Sequence, residues 1–392
     1  MVKKIEKPVE IVEKIMQDFA SSTGLDPTID SPQRYLWTDS FAVCNYLELF
    51  HLTDQKKYLN LALNLVNQVH SILGRHRDDD IRNGWISGLN DKEGEKHPTI
   101  GGLRIGKQQN ERQPDESIND TLEWDQDGQY YHYLIKWMHA LNHISQVTMN
   151  SAFIRWAIEL AKTAHTAFTY NPSFGVQKRM YWKMSIDLSR PLVPSMGQHD
   201  PLEGFITYNE LQITEKKGFN SSSLDLQAEI DEMTHICRGM NWYTDDPLGI
   251  GGLLADALIL AQVMIMGGLD YSRLLESVLK SALLGLESFK RNDPLKFPAE
   301  YRLAFRELGL SIGLKGIKKL IRIIINNPDL FNFESPLRAQ VEALIDYVPI
   351  SEKIEHFWLN SKNRHSSNWI EHREINMVML ATSIIPEGFL MI

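Results

Sequence analysis

The sequence predicts an all-α protein assembled from helical hairpins, and three observations carry that prediction. Six short runs rich in Asp, Glu, His and aromatic residues each open a long apolar segment: Trp37-Thr-Asp39, Trp124-Asp-Gln-Asp127, Gln198-His-Asp200, Tyr243-Thr-Asp-Asp246, Glu300-Tyr-Arg302 and Trp369-Ile-Glu-His-Arg373. Segments that are apolar on most faces alternate with segments apolar at i, i+3 and i+4 and polar on the opposite side. Strand signals are scarce, with only Phe205-Ile-Thr-Tyr and Leu211-Gln-Ile-Thr reading as a short ribbon.

In chain order, Val9, Ile11, Val12, Ile15 and Met16 are interrupted by Glu10, Glu13, Lys14 and Gln17, which predicts an amphipathic helix and no secretory signal. The run after Asp39, Ser40-Phe-Ala-Val-Cys-Asn-Tyr-Leu, predicts a buried helix. Residues 55–73 follow as an amphipathic partner, with Tyr58, Leu59, Ala62, Leu65, Val66, Val69 and Ile72 on one face and Lys56, Lys57, Asn60, Asn64 and Gln68 on the other. The same alternation recurs in residues 128–147 and 151–168, and again after Asp246 with residues 272–289. Late in the chain, residues 301–313 precede 315–326 and 338–347, before a last buried segment at 374–385.

The six runs start about 50 to 90 residues apart, whereas two average helices with short links need roughly 35 to 45 residues. The excess is loop, and it falls in residues 75–123, in residues 171–198 and after Phe331. The first of these contains Gly84-Trp-Ile-Ser-Gly-Leu89 among polar residues; the embedded Trp85 and Ile86 favour a lid over a disordered spacer.

With 392 residues and 43% apolar content the chain can bury a large core, and a single domain over residues 1–392 is the expectation. A net charge of -9 gives no basic footprint, which argues against nucleic acid as a partner. The most membrane-like stretch, residues 248–269, carries Asp256 and Gln262, so a buried core helix is expected and no membrane span. Cys44 and Cys237 lie in apolar segments without metal or redox spacing, in keeping with a reducing, cytoplasmic location. The composition is silent on oligomeric state.

Six helical hairpins whose buried members open on acidic and aromatic residues resemble the (α/α)6 toroid of the six-hairpin glycosidase-like superfamily. The resemblance runs from about Ile5 to Ile385. It implies an inner ring of helices wrapped by an outer one, with long loops at one mouth and a sugar entering a funnel at the inner helices' N-terminal ends. Gly197-Gln-His199-Asp-Pro-Leu-Glu203-Gly-Phe205 is similar in part to the N-acylglucosamine 2-epimerase group, with its Glu one position further from the His. The second histidine motif of that group, ending His-x-Pro-Arg, has no match, because His372-Arg373 lacks the proline.

The chemistry expected at such a mouth is carried by carboxylates. A helix N-terminus favours an anion by about 0.3 to 1 kcal/mol, which suits Asp39, Asp127 and Asp246 as bases or cation stabilisers. A general acid needs its pKa raised by burial or by a second carboxylate, and Asp125 with Asp127, or Asp245 with Asp246, offers that arrangement. An Asp before a helix is equally an N-cap, worth about 1 kcal/mol. Asp127 and Asp246 are the main acid and base candidates, with Asp39, Asp125, His199 and Asp200 as further catalytic candidates. For substrate binding the candidates are Trp37, Trp85, Trp124, Tyr131, Trp182 and Trp242, which would lie against the C–H faces of a sugar, together with Glu300, Arg302, Glu371 and Arg373. His132, about a turn inside its helix, reads as a core residue.

Gly101-Gly-Leu-Arg-Ile-Gly-Lys107-Gln108 has the spacing of a P-loop, but it ends in Gln and lacks the flanking strand and helix. Gly249-Ile-Gly-Gly252 reads as close helix packing. Neither a zinc or calcium pattern nor a cofactor motif is present, so no metal and no cofactor are expected. The sequence therefore points to a carbohydrate-active enzyme with a small sugar or oligosaccharide substrate, first a glycoside hydrolase using two carboxylates. The alternatives are a sugar epimerase or isomerase with His199 as base, and a helical scaffold that binds without turnover.

Overall fold

A computed structural model describes residues 7–173, 177–219, 224–331 and 336–392. It is all-α, with five strands of two or three residues, and its contacts divide the chain into two compact units. One comprises residues 23–47 and 55–240; the other comprises residues 1–22, 48–54 and 241–392.

In the first unit, the Leu36–Thr53 helix contributes its N-terminal half, where Leu36, Phe41, Ala42, Val43 and Cys44 are buried along with Thr38, Asp39 and Ser40. The Lys56–Leu73 helix is amphipathic as its spacing predicts, burying Tyr58, Ala62, Leu65, Val66 and Val69. The Tyr131–Thr148 helix packs against the Ser151–Phe168 and Asp200–Thr214 helices, and the Asp200–Thr214 helix packs in turn against Gln227–Cys237. Almost every side chain of the Asp200–Thr214 helix is buried. Residues 205–208 and 211–214, read from sequence as a ribbon, lie inside this helix. A short apolar run has no polar face to fix its period, and burial on all sides suits either state.

The strands instead bracket residues 171–198. Gln129–Tyr130 pairs antiparallel with Lys183–Met184, which pairs with Pro191–Val193; Thr169–Tyr170 pairs with Arg179–Met180. Within that excursion residues 174–176 lie outside the described residues. The 75–123 excursion is densely bonded. Arg82 bridges Asp80, Glu111 and Asp187, and Asn90 caps the short Asp91–Lys96 helix. Trp85 is covered by Gly94 on one side and by the Arg75 guanidinium 4.5 Å from its ring.

In the second unit, the Pro247–Gly267 helix packs against Ser272–Asn292 and Ala304–Asn326. It is long and apolar enough to cross a membrane, yet most of its apolar stretch is buried in protein. Gly251, Gly309 and Gly313 bring its backbone against that of the Ala304–Asn326 helix: a Cβ on Gly251 would meet the Gly309 carbonyl, and one on Gly313 would meet the carbonyl of Gly251. The Ala304–Asn326 helix also contacts Pro349–Leu359 and Arg373–Ile384, and Pro8–Ser22 lies against the latter. The loop expected after Phe331 falls on residues 332–335, outside the described residues, and a helix resumes at Pro336–Ile345.

Candidate active site

The helix start at Tyr131 and the helix start at Asp200, both in the first unit, converge on one cluster of ionisable and aromatic side chains. Pro201 in the first turn suits a helix opening, since its fixed φ is helical and its missing N–H has no partner to lose. Asp200 and Glu203 stand three residues apart on one helix, and His132 and Lys136 stand four apart on the other; each spacing puts two side chains on one face. Lys136 Nζ lies 3.3 Å from Glu203 Oε1.

Asp200 is 5% exposed and its Oδ2 has no hydrogen-bond partner. Burial pushes its carboxyl up to about 8; the charge of Glu203 adds to the rise, while Lys136 and the Gly197 N–H oppose it. Asp200 therefore keeps a proton at neutral pH, at the end of a helix dipole that would otherwise favour its loss. The second oxygen of Glu203 and Nδ1 of His132 are also buried without partners. Burial holds the His132 imidazole down at about 4, with Glu203 acting against that and Lys136 with it. His132 is thus neutral.

Aromatic rings wall this cluster. Trp182 lies parallel to the His132 ring at 6.2 Å, Trp37 stands edge-on to it at 6.0 Å, and Tyr130 stacks at 5.4 Å. Trp182 is held by its neighbours in strand Lys183–Met184, and Trp124 meets it edge-on at 5.0 Å. Trp124 follows the short Asp120–Glu123 helix, which Asn119 caps through the N–H groups of Thr121 and Leu122, and is 55% exposed. The Tyr35 and Tyr133 hydroxyls share a hydrogen bond of 2.6 Å. Lys107 lies 5.4 Å from the Tyr35 ring, and its amine is lowered by burial against the pull of Asp125 and Asp127.

The other sequence candidates in this unit are placed as follows. Asp127 is fully buried and its two oxygens meet five donors: the N–H groups of Gly106 (3.0 Å), Lys107 (3.3 Å) and Gly128 (3.0 Å), and the guanidiniums of Arg104 (2.6 Å) and Arg77 (3.5 Å). The loop with P-loop spacing thus wraps a carboxylate of its own chain. Gly106 is required there, because it has a φ of +92° and a Cβ would strike the Arg34 carbonyl. Asp39 is buried beside Arg34 at 3.5 Å and accepts from Tyr35 N; burial pushes it up to about 6, with Arg34 and that N–H opposing. Asp125 is exposed and His199 half-buried at the helix N-cap. Tyr131 is buried with its hydroxyl donating to Tyr208, and Trp85 is 4% exposed within the 75–123 excursion.

In the second unit, Asp246 precedes the Pro247–Gly267 helix without capping it and pairs with Arg306 at 2.8 Å. Trp242 is buried. Arg302 is buried in a two-pronged pair with Glu307, which also accepts from the Trp358 indole. Glu300 and Glu371 are exposed, and Arg373 lines a cleft with Arg364, His365, Trp369 and Asp18.

Lys136 is not among the residues the sequence singles out, His132 reads there as core, and Glu203 enters only by its distance from His199. The spacing of His132 to Lys136 and of Asp200 to Glu203 was the available signal.

No family model matches the sequence, and no curated protein does. Solved structures do match. The GH76 α-mannanase of Bacteroides thetaiotaomicron superposes with a TM-score of 0.55 at 10% identity, covering 96% of each chain. A D-mannose isomerase gives 0.51 at 10% identity over 96% of this chain and 97% of its own. A sugar epimerase from a ruminal bacterium gives 0.50 at 8% identity over 96% and 98%. Over nearly its whole length, this chain shares the (α/α)6 toroid fold with these structures.

Proposed function

We propose that the chain is a carbohydrate-active enzyme, first a glycoside hydrolase, in which Asp200 donates a proton to the leaving oxygen and Glu203 supplies the second carboxylate. The observation that carries this reading is the buried, proton-holding Asp200 one turn from Glu203, both with an unpartnered oxygen. A carboxyl that keeps its proton beside a second carboxyl is the pairing glycoside cleavage uses. Trp182, Trp37 and the exposed Trp124 supply apolar faces for a sugar ring. This reading moves the proton donor from Asp127, whose lone pairs are committed to five protein donors, to Asp200. Asp39, Asp125 and His199, which lie in the same unit, keep supporting roles in it.

The test is incubation of the pure protein with mannans, mixed oligosaccharides and free hexoses, followed by chromatography and mass spectrometry. Products differing from substrate by one water support hydrolysis, provided that Asp200→Asn abolishes them.

A second reading, sugar isomerisation or epimerisation, is favoured by the neutral His132 with its unpartnered Nδ1. There His132, or His199, removes a proton from carbon and Asp200 protonates oxygen. A product of unchanged mass in H2O that gains one deuterium at carbon when formed in D2O selects it.

A further inference from the structure

The interior of the first unit holds a second cluster, separate from the one above. The Tyr131–Thr148 helix carries His139 and His143 one turn apart, and the adjacent Asp200–Thr214 helix brings Glu210 against them. The two imidazole Nε2 atoms are 3.0 Å apart, with the rings at 71° to each other. His139 Nδ1 lies 3.0 and 2.9 Å from the two oxygens of Glu210. One donor atom from each of the three residues lies within 4.8 Å of the other two.

The surroundings make this an unusual place for a carboxylate. Glu210 is 1% exposed and His139 3%. Among the described residues neither Lys nor Arg pairs with Glu210; its recorded partners are His139 and the Asn142 amide nitrogen at 2.6 Å. The Asn142 carbonyl oxygen, on the same amide, is itself buried without a hydrogen-bond partner. A buried carboxylate calls for a compensating charge, and an unpartnered oxygen beside it calls for a donor or a cation.

We propose that His139, His143 and Glu210 form a binding site for a divalent transition-metal ion of zinc type. Two imidazoles oriented by a carboxylate suit zinc: an ion held by the two Nε2 atoms leaves Glu210 at the opposite edge of the His139 ring, where it holds Nδ1–H and supplies the compensating charge, with the remaining positions open to water. On binding, the ion takes the place of the proton between the two Nε2 atoms, and the His143 proton moves to that ring's Nδ1, leaving both imidazoles as neutral ligands. His139 lies eight residues into its helix, about 12 Å from the helix start, so the ion, through His139 and its Glu210 partner, ties two buried helices together and is independent of the catalytic reading.

The test uses full-length protein without a histidine tag, expressed with added zinc and desalted, its metal content read by mass spectrometry. The expected result is about one ion per chain, lost at least ten-fold in His143→Gln that keeps the wild-type circular dichroism spectrum. Wild-type protein loaded with Co(II) should show visible d–d bands, and it serves as the readout if the variant fails to fold. Zinc content below a tenth of an equivalent, no cobalt bands and an unfolding temperature indifferent to excess zinc would overturn the proposal and leave a hydrogen-bonded Glu–His–His chain.

Discussion

Two buried aspartates at two helix starts of the same unit have opposite surroundings. Asp127, just before the Tyr131–Thr148 helix, is surrounded by three backbone N–H groups and two guanidiniums. Asp200, opening the next buried helix, has one backbone N–H, a like charge at Glu203 and an oxygen with no partner. Burial is common to both, so burial does not mark a reactive group. What separates them is whether the chain supplies donors: where it does, the carboxylate fastens loops together, and where it withholds them, the proton stays and is available for transfer.

The sharpest way to break this comparison is to remove each carboxylate in turn. Asp200→Asn should lower kcat by about 10²- to 10⁴-fold on the substrate found for the protein, with thermal stability at pH 8 equal to or above wild type. The sign follows from linkage. A carboxyl raised to about 8 contributes stability that is full below its unfolded value near 4 and is lost as pH rises through 8, and Asn has no such loss. Full turnover in Asp200→Asn would end its role as proton donor.

Asp127→Asn should do the reverse. Leaving the buried Arg104 and the half-buried Arg77 beside a neutral amide should cost about 3 to 5 kcal/mol in urea unfolding, while kcat of the folded fraction changes only a few-fold. A variant as stable as wild type would contradict the fastening role.

Neighbours of Asp200 give finer control. Glu203→Gln removes the second carboxylate and the like charge together, so kcat should fall steeply and the alkaline limb of the residual pH–rate profile should shift to lower pH; Lys136→Met removes the opposing cation and should shift it to higher pH. Movement of both limbs in the same direction would mean that another group controls the profile. The smallest effect is expected from Trp124→Ala, at the exposed edge of the aromatic wall: KM should rise a few-fold with kcat nearly unchanged, as for loss of uniform binding.

The helical hairpins were legible because a helix that meets water on one side must show that side in its period, as Tyr58, Ala62, Leu65 and Val69 do. The all-buried helices were less so; residues 205–214 have no polar face, and the ribbon reading failed there. Of the site, the aromatic and acidic helix starts were visible, but the role of each was not. Asp127 owes its state to Arg77, Arg104 and Gly106, which lie in an excursion whose path no local spacing reveals. Asp200 owes its raised carboxyl to burial and to the charge of Glu203, acting against Lys136, which lies more than sixty residues earlier on another helix. His139 and His143 stood at helical spacing in plain view, but the Glu210 that completes the trio comes from the next buried helix.

The glycine contact between the Pro247–Gly267 and Ala304–Asn326 helices has a consequence for how this region tolerates change. Because carbonyls occupy the space where methyl groups would stand at Gly251 and Gly313, the two rods are seated on each other's main chain there, whereas at Gly309 that space is filled by the Leu248 side chain, which can yield. A library of random substitutions here should split sharply: the apolar positions around the seam exchange freely among Leu, Ile, Val and Met, whereas even alanine at Gly251 or Gly313 forces the rods apart and should be purged, and alanine at Gly309, which meets only the end of the Leu248 side chain, should be tolerated better.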